Sequence, residues 1–405
     1  MAIELEEQIS EIETARFGPF TFRIGVDDEA IKSLYLRVDD AQQRLRGSPL
    51  AQVANRLEKE VVVSSIFGTN SIEGGTLSEE ETQLALDLDP ALVQDVEQRR
   101  AINLKQAYEL SRQAATDPQW RLDLDFIRRV HGAITRDIPH ERNRPGLLRN
   151  NPRGIVTHVG DAAHGGRYKP PHYGADIHAL LEALLSWHQA LVEKNIPALI
   201  RAPLVHYYYE LIHPFWDGNG RVGRVIEATL LQCDGFQYAP FAQARYYFDH
   251  IDRYFTIFNI CRKATASRNA NPNTEFVAFF LEGMLASLNS LHDRVNRLVR
   301  VLLFENDVKR RHDEKQINAR QYAIVSQVLD AGKPIPLAQL RRAPWYQALY
   351  VQRTDKTRQR DLHKLREQQL ILLDEENRLW PGFLSPVSSS DNGVSSRIVA
   401  SPKEK

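Results

Sequence analysis

The chain of 405 residues has only two cysteines, Cys233 and Cys261. Both fall in apolar stretches of helical spacing, so buried free thiols are expected rather than a disulfide scaffold, as suits a reducing compartment. Net charge is also missing, because 52 Lys and Arg balance 52 Asp and Glu. No global basic field therefore marks the chain as a nucleic-acid binder. No uncharged apolar run is long enough to span a bilayer, and no internal repeat is visible. The start, Met1-Ala2-Ile3-Glu4-Leu5-Glu6-Glu7, is acidic and lacks the profile of a signal peptide, which points to the cytoplasm. The chain is too long for one ordinary domain and long enough for a large core.

What it does have is concentrated in His213-Pro214-Phe215-Trp216-Asp217-Gly218-Asn219-Gly220-Arg221-Val222-Gly223-Arg224. Before this stretch, Arg201 to Ile212 has the spacing of a helix, with Leu204, Tyr207, Tyr208 and Leu211 on one face. After it, Arg221 to Cys233 reads as another helix, stopped by Asp234-Gly235. The glycine-rich turn thus opens a helix, and its free N–H groups and positive dipole end make an anion site. An imidazole titrates near pH ~6.5, so neutral His213 can take a proton at neutral pH. Asp217 is a hard oxygen ligand of the kind Mg²⁺ accepts beside phosphates. Gly218 and Gly220 admit a phosphate close to the backbone, and Asn219 can donate from its amide. Arg221 and Arg224, three apart, can reach one anion.

This string resembles the Fic motif, His-x-Phe-x-Asp/Glu-Gly-Asn-x-Arg-x-x-Arg, at every defined position. Arg201-Ala202-Pro203-Leu204-Val205-His206 resembles the family's lead-in to the motif. Gly146-Leu147-Leu148-Arg149 and Tyr168-Lys169-Pro170-Pro171-His172 resemble the borders of its flap. The likeness covers roughly residues 50 to 265. It implies a mostly α protein: a Fic-type helical core with a short β-hairpin flap. It also implies transfer of AMP from ATP to a Ser, Thr or Tyr hydroxyl of a target protein, itself included. In that scheme His213 is the general base, and Asp217 holds Mg²⁺ between the α- and β-phosphates. The backbone of Gly218 to Gly220, with the Asn219 side chain, forms an anion hole. Arg221 stabilises the leaving pyrophosphate and Arg224 grips the γ-phosphate. Val222 and Gly223 lie inside the same ATP-binding segment.

A second site is legible upstream. Leu57 to Glu73 is predicted helical, ended by Gly74-Gly75, and Ser78-x-x-Glu81 is a capping box for the next helix. Glu73 then sits at a helix C-terminus, where the dipole disfavours a carboxylate, so a cationic partner elsewhere is expected. Thr69-Asn70-Ser71-Ile72-Glu73-Gly74 resembles the inhibitory motif Ser/Thr-x-x-x-Glu-Gly/Asn of many Fic proteins. That resemblance names the partner as Arg224 and implies autoinhibition. In some relatives the equivalent Glu serves removal of AMP, and others use another nucleotide donor.

Residues 150 to 171, the flap, contain the β-prone run Gly154 to Gly160, a turn at His164 to Arg167 and a return at Tyr168 to Pro171, which reads as a short hairpin. A hairpin with a free edge can take a target segment by strand addition. His158, His164 and His172 lack tight metal spacing and read as solvated. The run Arg253-Tyr254-Phe255 resembles an Arg-Tyr-Tyr signature whose aromatic lies near adenine, with Tyr254 as its first Tyr.

The chain divides on these grounds into residues 1–95 (N-terminal helical region with the inhibitory motif), 96–270 (Fic core), 271–310 (connecting helix), 311–383 and a disordered tail, 384–405. In 311–383, three helices followed by a hairpin resemble a winged helix-turn-helix. Arg353, Lys356, Arg358, Arg360, Lys364 and Arg366 crowd its third helix, which is what phosphate contact needs, while Asp374-Glu375-Glu376 in the wing opposes it. Such modules bind DNA, dock proteins or form dimers. The alternative reading of the chain is a DNA-binding regulator whose Fic unit senses nucleotide.

Overall fold

The computed structural model describes residues 5–384; the tail expected from residue 384 lies, from residue 385 onward, outside them. The chain opens with a hairpin of β1 (Ile9–Thr14) and β2 (Gly18–Arg23), paired antiparallel with Ile9 opposite Arg23. Helices α1 (Asp28–Arg46), α2 (Leu50–Ile72), α3 (Glu79–Leu86), α4 (Val96–Thr116) and α5 (Leu124–Thr135) follow. After a long loop come α6 (Gly174–Glu193), α7 (Ala198–Ile212), α8 (Asn219–Cys233), α9 (Ala239–Asp249), α10 (Ile251–Ala266) and α11 (Thr274–Asp313). The last elements are α12 (Ala319–Asp330), β3 (Ile335–Pro336), α13 (Leu337–Arg342), α14 (Pro344–Ala348), α15 (Asp355–Glu367), β4 (Ile371–Leu373) and β5 (Arg378–Pro381). None of these helices is long and apolar enough to cross a membrane.

Two compact units divide between Val295 and Asn296. In the first, α7 and α8 pack together at the centre, with α4 and α5 against α8 and α2 along α9. Every residue of α7 except Glu210 and Leu211 is buried, the all-round burial of a central helix. Because α2 lies along α9, the expected boundaries at 95 and 270 both fall inside this unit. The N-terminal region is not wholly helical. Phe20, Phe22 and Ile24 alternate inward, and Phe22 packs 5.9 Å from Trp187 and 5.2 Å from Tyr208 between ring centroids. The Tyr208 hydroxyl caps the hairpin, donating to Arg23 O at 2.9 Å and accepting from Arg23 N at 3.0 Å.

The second unit gathers Ile324, Val325, Val328, Leu340, Leu365 and Leu379 in its own core. Its sheet runs β3-β5-β4, so the expected helices and hairpin are joined by an extra short strand and by α14. The buried Asp361 accepts from Arg320 Nε (3.0 Å), Gln321 Nε2 (3.1 Å) and Tyr350 Oη (3.0 Å), which fixes α15 to α12. Of the cations expected on the third helix, Lys364 donates to Gln316 O and Arg358 to Asp355, whereas Arg353, Lys356, Arg360 and Arg366 are exposed. The cysteines are both free, but only Cys261 is buried. Cys233 is exposed because it is the last residue of α8, beside the Asp234-Gly235 exit.

Candidate active site

α7 stops where His213 adopts left-handed geometry, φ 48° and ψ 63°, ahead of Pro214. A residue before proline is pushed off the helical region, and a side chain in the left-handed region costs about 1 kcal/mol or more. Arg149 holds this bend. Fully buried, it donates from Nε to His213 O at 2.6 Å and from Nη2 to Ile212 O at 3.4 Å, while its own N–H meets Pro214 O at 2.9 Å. Burial pushes its guanidinium down to about 10, so it stays charged at neutral pH. Its Nη1 donates to Asn151 Oδ1 at 2.8 Å, and Asn151 Nδ2 donates to Ile155 O and Thr157 Oγ1. The bend at the imidazole is thereby tied to the base of the flap.

The loop beyond is built on Phe215, which stacks on His131 with centroids 3.6 Å apart and planes 3° from parallel. Gly146 N–H donates to His131 Nδ1 at 2.9 Å, so the ring proton lies on Nε2, where Asp217 O accepts it at 3.1 Å. Burial pushes His131 down to about 4, which keeps this neutral form. Asn219 closes the loop: Oδ1 accepts from Phe215 N and Nδ2 donates to Phe215 O, both at 2.9 Å. Both ends of that amide are therefore engaged in the loop, and Phe215 O takes one of the two Nδ2 hydrogens. Gly218 turns the chain at φ 82° into α8.

On α8, Arg221 is 3% exposed and donates to Asp217 Oδ2 at 3.0 Å. Burial alone would raise the Asp217 carboxyl, but the Arg221 charge and the Gly218 N–H outweigh it and hold it below its usual value. A single ionised carboxylate fits Mg²⁺, which takes its remaining ligands from phosphates and water. No group of three or more His, Cys, Asp or Glu side chains suited to a metal ion occurs among the described residues.

Arg224, 4% exposed, donates from Nη2 to Glu73 Oε1 at 2.6 Å and to Thr69 O at 3.3 Å. The Glu73 carboxylate lies over the first turn of α8, where a Cβ on Gly220 would collide with it. This resolves its unfavourable place at the end of α2: the carboxylate is also an anion at the N-terminus of α8.

Glu73, Arg224, His213 and Gly220 meet in a cavity of about 320 Å³. Glu73, Glu210, His213, Gly220, Arg224 and Tyr254 face it, with Phe255, Phe258 and Asn259 of α10 and the flap residues Val159, His164 and Tyr168 opposite. Of the expected site residues, Asp217, Gly218, Asn219, Arg221, Val222 and Gly223 do not line it. Val222 is fully buried, and the open side of Gly223 meets Glu210 and His206. Tyr254 is 2% exposed, and its hydroxyl is bonded to Arg224 at 3.2 Å. The expected flap hairpin reduces to one bridge, in which Val159 and Tyr168 exchange hydrogen bonds of 2.9 and 2.8 Å. Gly154, Gly160, Gly165 and Gly166 all have positive φ. His164 is not free in solvent. It bonds Asp161 at 2.9 Å and Asp252 of α10 at 3.3 Å.

Sequence reasoning missed Glu210, whose Oε2 lies 3.6 Å from His213 Nδ1, although its position three residues earlier on α7 was a usable signal. Asn259 was also missed. It donates to His164 O and Gly166 O, both at 2.9 Å, and holds the flap to α10.

Residues 121–231 match the sequence model of the Fic/DOC family. The chain is 27% identical over 184 residues to Protein adenylyltransferase fic-1 of Caenorhabditis elegans, covering 45% of this chain and 34% of that one. It is 25% identical over 198 residues to a probable protein adenylyltransferase of Aquifex aeolicus, covering 49% and 55%. The chain thus spans about a third to a half of the length of these curated relatives. A Fic family protein of Desulfovibrio desulfuricans G20 shares the fold over 87% of this chain and 95% of its own, with a TM-score of 0.53 at 20% identity. A Fic-domain protein of Bacteroides thetaiotaomicron does so over 66% and 96%, with a TM-score of 0.52 at 21% identity.

Proposed function

We propose, from the premise that residues 121–231 are a Fic/DOC-family domain, that this chain is a nucleotidyltransferase that moves AMP from ATP onto a Ser, Thr or Tyr hydroxyl of a protein, itself included. One observation carries the reading: an imidazole, the opening turn of a helix and a buried guanidinium face a single cavity. His213 takes the hydroxyl proton as the hydroxyl oxygen bonds to the α-phosphorus and the bond to pyrophosphate breaks. Backbone N–H groups from Gly218 to Gly220 receive the α-phosphate oxygens. Arg221 stabilises the departing pyrophosphate and Arg224 grips the γ-phosphate. Asp217 would hold Mg²⁺, which supplies charge neutralisation on the phosphates when bound. Tyr254 and its neighbours on α10 are assigned to the adenine side, and the flap to the target segment.

The same reading makes the enzyme self-restrained. With Glu73 on Arg224 and over Gly220, the γ-phosphate has no cation and ATP cannot adopt the attacking geometry. An intact His213 in the cavity favours chemistry over a DNA-binding regulator that only senses nucleotide. AMP removal by water held at Glu73, and use of another donor, are variants of the same chemistry. The exposed cations of α15 leave DNA or protein contact to the second unit, and a salt-sensitive gel shift tests it.

The test uses the full chain with a lysate and ATP labelled on either the α- or the γ-phosphate. Over the lysate alone, Glu73→Gly should add label to target proteins from the α position only, and His213→Ala placed in Glu73→Gly should add none. Added label from the γ-phosphate, or added label that survives His213→Ala in Glu73→Gly, would overturn the reading.

A further inference from the structure

His206 and Glu227 take no part in the chemistry above, yet they are 0% and 2% exposed. A carboxylate enclosed to that degree is costly unless it is paired, so its partners define its task. Glu227 Oε2 lies 2.7 Å from His206 Nδ1, and the Tyr247 hydroxyl donates to both carboxylate oxygens at 2.9 and 3.0 Å. His206 Nε2 lies 3.2 Å from the Tyr254 hydroxyl, which in turn lies 3.2 Å from Arg224 Nη1.

The direction of this chain follows from its ends. A guanidinium only donates, so the Tyr254 oxygen accepts from Arg224. Its proton then points to Nε2 of His206, the acceptor 3.2 Å away. That nitrogen is therefore bare, and the ring proton sits on Nδ1, facing Glu227. Reversing the middle link would take from the Tyr254 proton the acceptor it has on His206. Burial pushes the Tyr254 hydroxyl well above its ordinary range, so it keeps that proton. Gly223 is what lets the two central helices close on the network, since a Cβ there would lie 2.8 Å from His206 Cδ2.

Arg224 is buried too deeply to be left without compensation when Glu73 leaves it. We propose that Glu227, acting through His206 and Tyr254, keeps the Arg224 guanidinium aimed into the cavity once Glu73 withdraws, so that these three are positioning residues for the terminal phosphate of the nucleotide. The proposal rests on the reading that Arg224 takes that phosphate. It also gives Tyr254 a second task, at its hydroxyl, beside any contact its ring makes with a base.

The experiment measures equilibrium binding of ATP and of AMP, each with Mg²⁺, to full-length Glu73→Gly protein with and without Tyr254→Phe. The hydroxyl deletion should weaken ATP by about ten- to a hundredfold, the range of a hydrogen bond to a charged group, and leave AMP unchanged. An equal loss for both nucleotides, or no loss for ATP, would overturn the positioning role. A Glu73→Gly parent with no preference for ATP over AMP would instead sink the assignment of Arg224 to the terminal phosphate. Should Tyr254→Phe fail to fold, ¹⁵N shifts of His206 in the unaltered chain decide the matter. Nδ1 protonated and Nε2 bare supports the relay, and the opposite tautomer overturns it.

Discussion

Arg224 Nη2 donates to Glu73 Oε1 at 2.6 Å across 151 residues of chain. The two side chains are 3% and 31% exposed, so the contact is partly shielded from solvent at the guanidinium end. Its removal should free both the cation and the first turn of α8. We expect Glu73→Gly to raise transfer of α-label by about ten- to a hundredfold, the worth of one charge-assisted hydrogen bond. Glu73→Gln keeps an acceptor without the charge and should fall between. Equal rates in wild type and Glu73→Gly would show that this contact restrains nothing.

Asn219 closes both ends of its amide on the Phe215 peptide. Asn219→Asp keeps the acceptor for Phe215 N but places a second oxygen against Phe215 O. A buried carbonyl left without its donor costs about 1–3 kcal/mol, so the urea midpoint should drop by that equivalent. An unchanged midpoint would mean that the Asn219 bridge adds nothing to the contacts of His131, Arg149 and Arg221 that also hold the loop.

The acid limb of stability should carry two histidines. Burial pushes His131 down to about 4 and His188 down to about 3. An unfolded histidine titrates near ~6.5. Between these values the unfolded chain binds more protons, so stability rises with pH there. The contribution is fully present above about 6.5 and is lost as the pH falls toward 4, on the order of a few kcal/mol per residue. Urea midpoints at pH 7.5, 6 and 4.5 read it directly. Replacing His188 by Gln should flatten the slope above pH 4.5, and a slope that survives in full would assign it to other groups.

How much of this was legible depended on the range of the contact. The stretch from His213 to Arg224 is contiguous, so its helix, turn and helix could be read locally. The Ser78–Glu81 capping box is equally local, and both of its hydrogen bonds are present. Glu73 was legible because its place at a helix end contradicts the dipole, which demands a distant partner. Arg149 closes the Gly146-Leu147-Leu148-Arg149 stretch, but its task is not legible there. Its acceptors are carbonyls 63 and 64 residues away, and backbone oxygens leave no trace in composition. The short flap hairpin was legible from its β-prone run between glycines, but that its ladder is a single Val159–Tyr168 bridge was not.

His164 gives the flap a pH dependence opposite in sign to that of the core. It bridges Asp161 on the flap and Asp252 on α10, with the edge of Phe255 beside the ring. Hydrogen bonds to the two carboxylates raise its pKa above the ordinary value. A raised histidine contributes stability that is whole below about 6.5 and is lost as the pH climbs through the folded value. The flap should therefore close more firmly on α10 in mild acid, while Asn259 holds it at any pH. Hydrogen exchange of residues 155–168, corrected for intrinsic rates, should show greater protection at pH 6 than at pH 8.5. His164→Gln should abolish that difference, and Asn259→Ala should lower protection equally at both. Protection that does not change between the two pH values in the unaltered chain would remove His164 as a latch and leave the flap to Asn259.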